Sequence, residues 1–421
     1  MPVYSRDDPL PLPPKPGMSM LPYGNGRSYG DSCLNDGGAA LMVRPLDRFI
    51  GFNPQSGVLT CESGVLLSEI LELMVPRGWF LPVVPGTRFV TVGGAIANDV
   101  HGKNHHQAGT FGCHVLRLEL LRSDGRRMRC SREDNPLLFS ATLGGLGLTG
   151  LVTWAEIQLR RIDNPWIDLE TLRFGSLREF FQLCTESDGR FEYTVAWLDC
   201  AGRGRAFGRG LFMRGNHAGP GASGGPRPAR ARAMPFTPPW SLVNPLSLQA
   251  FNLAYYHRPI GGRRTQHYEP FFFPLDGIGN WNRIYGPRGF RQYQCVLPAK
   301  ADAPALERLL REISGSRGGS FLSVLKVFGT RASPGMLSFP MAGASLALDF
   351  PEQGAGLEQL FGRMDTIVRE AGGRLYPAKD SRMGPGMFRA GFDRWQEFSE
   401  HIDPRFSSSF WRRVTEQGRK T

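Results

Sequence analysis

Cysteine is scarce and unpatterned. Seven residues (Cys33, Cys61, Cys113, Cys130, Cys184, Cys200 and Cys295) are scattered, odd in number and never spaced as C-x-x-C. That argues against a disulfide framework and against structural zinc, and fits a reducing compartment. No apolar run approaches the length needed to span a bilayer. The first residues, MPVYSRDDPLPLPPKPG, carry acids and prolines where a signal peptide needs an apolar stretch. They read as a Pro-rich arm with no cleavable signal, so the expected location is cytoplasmic or membrane-associated, with a periplasmic face left open. Acidic residues are missing from one long stretch: between Cys200 and Tyr268 there is no Asp or Glu, against ten arginines.

A chain of 421 residues is too long for one ordinary core, and two domains are expected. Hydrophobic residues at 41% and charged residues at 21% give a globular rather than a disordered composition. The net charge of +12 admits nucleic acid, an anionic membrane surface or a phosphorylated substrate as partner. No DNA- or RNA-binding motif accompanies the charge, so nucleic acid is not expected. The Gly/Pro/Ala/Arg-rich part of the acid-free stretch reads as a mobile loop at about 201–240. The apolar run after it, MPFTPPWSLVNPLSLQAFNLAYY, suits either a core segment or the surface of an anionic membrane.

The first part alternates strands and helices. AALMVRP, GVLTCESG and HVLRLELLRSDG have the apolar content and turn boundaries of strands, and LLSEILELMVPRG has helical spacing with a Pro/Gly stop. After about Ile162 the texture changes. FEYTVAWLD, RQYQCVLPA, FLSVLKVFG and ASLALDFP predict a second sheet, with helices at SLREFFQLCTESDG, ADAPALERLLREIS and GLEQLFGRMDTIVREAGG. The fold class expected is α+β with antiparallel pieces.

Three glycine-rich stretches carry the chemistry. YGNGRSYGDS exposes backbone N–H groups as an anion-binding nest would, but lacks Walker A and G-x-G-x-x-G spacing. VVPGTRFVTVGGAIANDVHGKNHH bares the backbone twice and then offers Asn98, His101, Lys103, Asn104, His105 and His106 as donors. A metal site, a phosphate cradle and a cofactor-pocket wall compete there; the histidine spacing and the intervening Gly102 disfavour metal. ATLGGLGLTGLV supplies a third close backbone approach. Together the three point to one extended, phosphate-bearing cofactor contacted repeatedly. In the second half, Gln292 and Gln294 fall on one strand face. Lys326 stands alone in an apolar run, a costly place unless it meets an anion.

These series resemble the flavin domain of the vanillyl-alcohol-oxidase (PCMH-type) FAD oxidoreductases. PLDGIGNWNRIYGPRGFRQYQCVLP, FLSVLKVFG, LSFPMAGASLALDFP and GGRLYPAKDSRM are further similar to the FAD-dependent decaprenylphosphoryl-β-D-ribose 2′-oxidases. The resemblance runs from about Leu21 to Pro404. It implies a two-domain PCMH-type fold: an FAD-binding domain over 1–165, an antiparallel-sheet substrate domain inserted at 166–373, and a segment over 374–421 that returns to the flavin. It places FAD contacts on Gly24, Asn25, Gly26, Arg27, Ser28, Tyr29, Gly30 and Ser32, on Gly86, Thr91, Val92, Gly93 and Gly94, and on Asn98, His101, Val152 and Tyr376. Covalent members of the wider family carry a flavin-linked His where this chain has Arg27, so dissociable FAD is expected.

The implied reaction oxidises the 2′-hydroxyl of a polyprenyl-phosphate-linked pentose, with hydride leaving to the flavin. A separate short-chain reductase would then complete epimerisation to an arabinose donor for cell-envelope glycan, at a peripheral membrane surface. Lys379 is the candidate to stabilise charge on the reduced flavin or to orient the sugar hydroxyl. His101 and Lys379 are the candidate bases, with Tyr29 beside them. Lys103, Gln292, Gln294, Lys326, Tyr376 and Lys379 are expected to line the substrate site. Ser323, Ser345 and Ala347 depart from the family's usual residues and leave the exact sugar and lipid open. A sugar or aldonolactone oxidase of the same superfamily acting on free sugars is the alternative.

Overall fold

The computed structural model describes residues 1–222, 232–316 and 318–415. Two antiparallel sheets dominate it. The first has five strands in the order Phe49–Asn53, Val58–Glu62, Leu151–Gln158, Val115–Leu121 and Arg127–Ser131. A parallel pair, Met20–Tyr23 with Ala39–Met42, lies apart from it in the same half of the chain. The helix Leu67–Met74 shows why the local sequence folds so. Leu67, Ile70, Leu71 and Met74 fall at helical spacing and are all buried, while Glu69 reaches back to the Leu66 N–H at 2.8 Å. Pro76 and the left-handed Gly78 end the run.

The second sheet has eight strands, all antiparallel: Arg263–His267, Trp166–Phe174, Gly210–His217, Tyr193–Leu198, Ser323–Phe328, Gly343–Pro351, Phe290–Pro298 and Arg374–Leu375. Strand alternation divides its residues between two faces. Tyr293, Cys295, Leu297, Leu346, Leu348 and Phe350 share a core with Leu306, Leu309 and Leu310 of the helix Asp302–Gly315 and with Leu360, Phe361 and Met364 of the helix Ala355–Glu370. The residues between them, Gln292, Gln294, Ser345, Ala347 and Asp349, take the other face. The hydrophobic reason for the helices thus also turns a mostly polar row of side chains toward the glycine-rich stretches.

The chain closes on itself. After Leu375 it leaves the second sheet and runs back to the first glycine-rich turn, where the Tyr29 N–H donates to Ala378 O at 2.9 Å. Gly30 packs so closely there that a Cβ would stand 1.5 Å from Asp380 O. Arg413 bridges Asp31 and Asp380 at 2.6 and 3.0 Å, and Met20 N–H reaches Arg405 O at 2.7 Å.

One expectation needs correction. The stretch 201–240 is not one loop: Gly210–His217 is an inner strand of the large sheet, paired on both sides. Its glycines and Arg214 masked a run, GLFMRGNH, whose pairing supplies the order its composition does not. Residues 223–231 lie outside the described residues. The glycines Gly93 and Gly94 sit inside the short helix Val92–Ala97, capped by Thr91 Oγ1 accepting from the Gly94 N–H at 3.1 Å. Among the described residues no helix is long and apolar enough to cross a membrane.

Candidate active site

A cavity of about 990 Å³ separates the glycine-rich stretches from the polar face of the eight-stranded sheet. That is at the upper end for small-molecule sites. It gathers the sequence-derived candidates Gly24 to Tyr29, Ser32, Gly86, Thr91, Gly93, Gly94, Asn98, His101, Lys103, Val152, Gln292, Gln294, Lys326, Tyr376 and Lys379 along its walls. Gly30 and Val92 are not among its lining residues. Gly30 is spent on the contact with Asp380, and Val92 is a fully buried core residue whose N–H goes to Val65 O.

The flavin-side wall has the donors an anionic dinucleotide needs. The N–H groups of Asn25, Gly26, Arg27 and Ser28 make no hydrogen bond among the described residues. The Oγ atoms of Ser32 and Ser63 line the same space, buried and without partners. Donors left open to one cavity are what a pyrophosphate would satisfy. A close approach explains two of the glycines: a Cβ at Gly24 would lie 2.4 Å from Thr91 Oγ1, and one at Gly93 would lie 3.1 Å from Ser63 Cβ. These residues fit FAD.

Lysine tells the other half. The chain has six lysines (15, 103, 300, 326, 379 and 420) among its 50 basic residues, and three of them meet here. Lys103 donates to Phe271 O and lies 4.3 Å from the Phe271 ring centroid. Burial, with Lys326 adding repulsion, brings its ammonium down to about 7. Lys326 is likewise brought down by burial, to about 8. Lys379 sits 3.6 Å from the centroid of the Tyr29 ring, a cation–π contact, and burial lowers it as well, against the opposing pull of Asp349. Among the described residues none of the three has a carboxylate within ion-pair distance.

His101 is caged by Phe328, Phe339 and Tyr376, with ring centroids 4.8, 5.7 and 5.5 Å away. Its two nitrogens are both engaged. Lys326 Nζ stands 3.2 Å from Nδ1 and the Gln294 amide 3.1 Å from Nε2. With the ammonium donating to Nδ1, the ring carries its proton on Nε2, and the Gln294 amide, whose nitrogen is placed there, has to turn its oxygen to that side to accept it. Burial first, then Lys326, holds His101 well below its ordinary pKa. It is a neutral, fixed ring whose free lone pair is already taken.

Asp349 is a site residue that sequence reasoning missed. It lies opposite Gln292 in the sheet register, fully buried, and takes the Gln292 amide on Oδ1 at 2.6 Å. Its Oδ2 and the Gln292 Oε1 have no partners. Burial raises its carboxyl, opposed by the Gln292 hydrogen bond and by Lys379. The signal was present in SLALDFP: one acid inside an apolar strand. Of the three departures, Ala347 and Ser323 line the cavity, while Ser345 pairs with Lys326 in the register and keeps a buried Oγ without a partner. No group of three His, Cys, Asp or Glu placed to hold a metal occurs among the described residues.

Residues 12–131 match the FAD binding domain family. The chain is 35% identical to the decaprenylphosphoryl-beta-D-ribose oxidase of Mycolicibacterium smegmatis, over 94% of this chain and 89% of that protein. It is also 35% identical to an uncharacterized protein of Streptomyces coelicolor, over 83% of this chain and all of that one. The human Delta(24)-sterol reductase matches at 27% over 35% of this chain and 27% of the reductase, a partial likeness. With the flavin-side donors and the lysine-lined wall in one cavity, the chain belongs to the decaprenylphosphoryl-ribose oxidase family and is an FAD-linked oxidoreductase.

Proposed function

We propose that the chain oxidises the 2′-hydroxyl of a polyprenyl-phosphoryl-β-D-ribose to the 2′-keto sugar, with dissociable FAD. The observation that carries this reading is the pair of half-buried lysines, Lys103 and Lys326, that line the cavity with no carboxylate within ion-pair distance among the described residues. The open N–H groups of the first turn suffice for a pyrophosphate, so Lys103 and Lys326 are left for a second anion. A phosphodiester between sugar and lipid is that anion, and the name of the Mycolicibacterium relative supplies the sugar. In this reading residues 1–165 and 374–421 form the flavin unit and 166–373 the substrate unit. Arg27 occupies the turn position where a covalent link would need histidine.

FAD, when bound, supplies the two-electron acceptor for the alcohol. The protein binds and orients. Lys103 and Lys326 hold the phosphate, and His101 is a positioning residue that fixes Lys326 on one side and Gln294 on the other. Gln292, held by Asp349, offers its free oxygen to a sugar hydroxyl. Lys379, seated on Tyr29, places a positive charge at the wall where the reacting hydroxyl and the developing negative charge meet. Burial raises the Tyr29 phenol, with Asp349 adding to the effect, so Tyr29 stays neutral and serves as the seat. The keto product then requires a separate hydride-donating reductase to reach the epimer.

The test is anaerobic mixing with polyprenyl-phosphoryl ribose and, separately, with free pentoses and aldonolactones. Flavin bleaching by the lipid-linked sugar alone is expected. Bleaching by free sugar, with no advantage to the phosphorylated one, would move the chain to the free-sugar alternative.

A further inference from the structure

One surface is left over by the proposed reaction. The helix Pro245–His257 buries only Leu248 and Asn252. Its Leu246 and Leu253 are 79% and 55% exposed, and Trp240 and Phe236 on the preceding loop are 70% and 63% exposed. A helix apolar on most sides is ordinarily covered by something, and a large apolar patch marks an interaction site. The helix is nonetheless firmly seated. The Asn252 amide donates to Asp199 Oδ1 at 2.6 Å, Phe251 packs on Phe321, and Tyr255 meets Trp197 edge to face at 4.8 Å.

The charge on the segment that carries it is of one sign, the nearby acids being Asp199, which holds Asn252, and Asp168 and Glu170, which face Thr265 and Arg263 across the sheet. No Asp or Glu occurs between Cys200 and Tyr268, Arg258 ends the helix, and Arg263 and Arg264 are exposed on the edge strand of the large sheet. Tyr255, Arg258 and Arg264 also line the cavity, so the apolar surface and the cavity wall share the same elements. Two copies meeting face to face would bring these arginines together, which disfavours self-association. Apolar side chains rimmed by arginine match the interfacial zone of an anionic bilayer.

We propose that this face, centred on Leu246, Leu253 and Trp240, docks peripherally on an anionic lipid bilayer and turns the adjoining side of the cavity toward it. The proposal deepens the lipid-linked reading, since a polyprenyl substrate would pass from bilayer to cavity without crossing water.

Vesicle flotation of the FAD-loaded protein tests it. Binding to phosphatidylglycerol-containing vesicles is expected, with little on phosphatidylcholine alone and release in high salt. The Leu246→Glu/Leu253→Glu variant should lose binding by about tenfold or more, keep its flavin spectrum, and still be reduced by a detergent-dispersed short-chain prenyl-phosphoryl ribose. Trp240→Glu gives a second arm if the double variant fails to hold flavin. Absence of wild-type binding to anionic vesicles overturns the proposal, as does unchanged binding by the variants. So does a wild-type dimer that the variants dissociate with no vesicle binding, which would make this face an interface between copies. Vesicle binding without bleaching by any prenyl phosphate would leave the surface standing and remove the substrate reading alone.

Discussion

Replacing Lys326 with methionine should make the protein more stable and less able to bind its substrate. Lys326 is half-buried on the cavity wall, and burial brings its ammonium from 10.5 to about 8. At roughly 1.4 kcal/mol per pH unit the difference corresponds to about 3 kcal/mol of lost stability. The sign follows from the depressed value. Below about pH 8 the group is charged in both states and the full cost applies; between about 8 and 10.5 the folded state sheds its proton and the cost fades. Methionine has nearly the same length and removes the charge. It also removes the 3.2 Å hydrogen bond to His101 Nδ1, worth roughly 1.5 kcal/mol for a charged donor. The net gain expected near neutral pH is therefore about 1–2 kcal/mol, seen as a small rise in thermal midpoint. Against this, a charge-assisted contact to phosphate is worth about 1.5–3 kcal/mol, so KM for a prenyl-phosphoryl sugar should rise roughly 10- to 100-fold. Thermal unfolding of both proteins at neutral and alkaline pH, with stopped-flow flavin reduction, measures both effects. A variant less stable at neutral pH by the same amount as at pH 10 would refute the reasoning, because Lys326 would then be a structural prop.

Lys379→Ala should retain flavin and lose flavin reduction by about a hundredfold or more, the usual size of a lost charge-stabilising donor; unimpaired single-turnover reduction would remove it from the site. Asp349 opposes the lowering of Lys379, so Asp349→Asn should lower Lys379 further and move the alkaline limb of kcat/KM to lower pH, whereas a purely structural aspartate would leave the limb in place. Gly30→Ala drives a methyl against Asp380 O; the junction must open, and the purified protein should be largely free of flavin by its absorbance ratio.

Much of the site was legible because glycine and isolated charges are costly to place without a reason. The three glycine-rich stretches do border one cavity, and Lys326, alone in an apolar strand, does face it. What stayed hidden was hidden physically. The strand Trp166–Phe174 alternates buried and exposed residues, but acids and an arginine fill its exposed positions and blur it. Gly210–His217 gains its order from partners on both sides, which no local propensity reports. Asp349 needed only the question asked of Lys326. The lysines carried a broader signal: with six among 50 basic residues, each is a choice against arginine. Arginine keeps its charge almost anywhere, whereas lysine can surrender a proton when buried. The cavity holds the residue type whose charge burial can tune.

The way the chain closes has a consequence for the order of synthesis. Gly24 and Ser28 emerge early, Lys103 later, Lys326 later still, and Lys379 near the end, yet they border one space. Contacts of such sequence separation form late. A nascent chain that has released its first 350 residues possesses the flavin turns and Lys326, but not the strand Arg374–Leu375, Ala378 that receives the Tyr29 N–H, or the Arg413 bridge to Asp31 and Asp380. The lysine that sits on Tyr29 arrives with the segment that seals the junction. A chain that stops short of Arg374 thus has its glycine-rich stretches and Lys326 but neither the Lys379 wall nor the junction that closes on Tyr29 and Gly30.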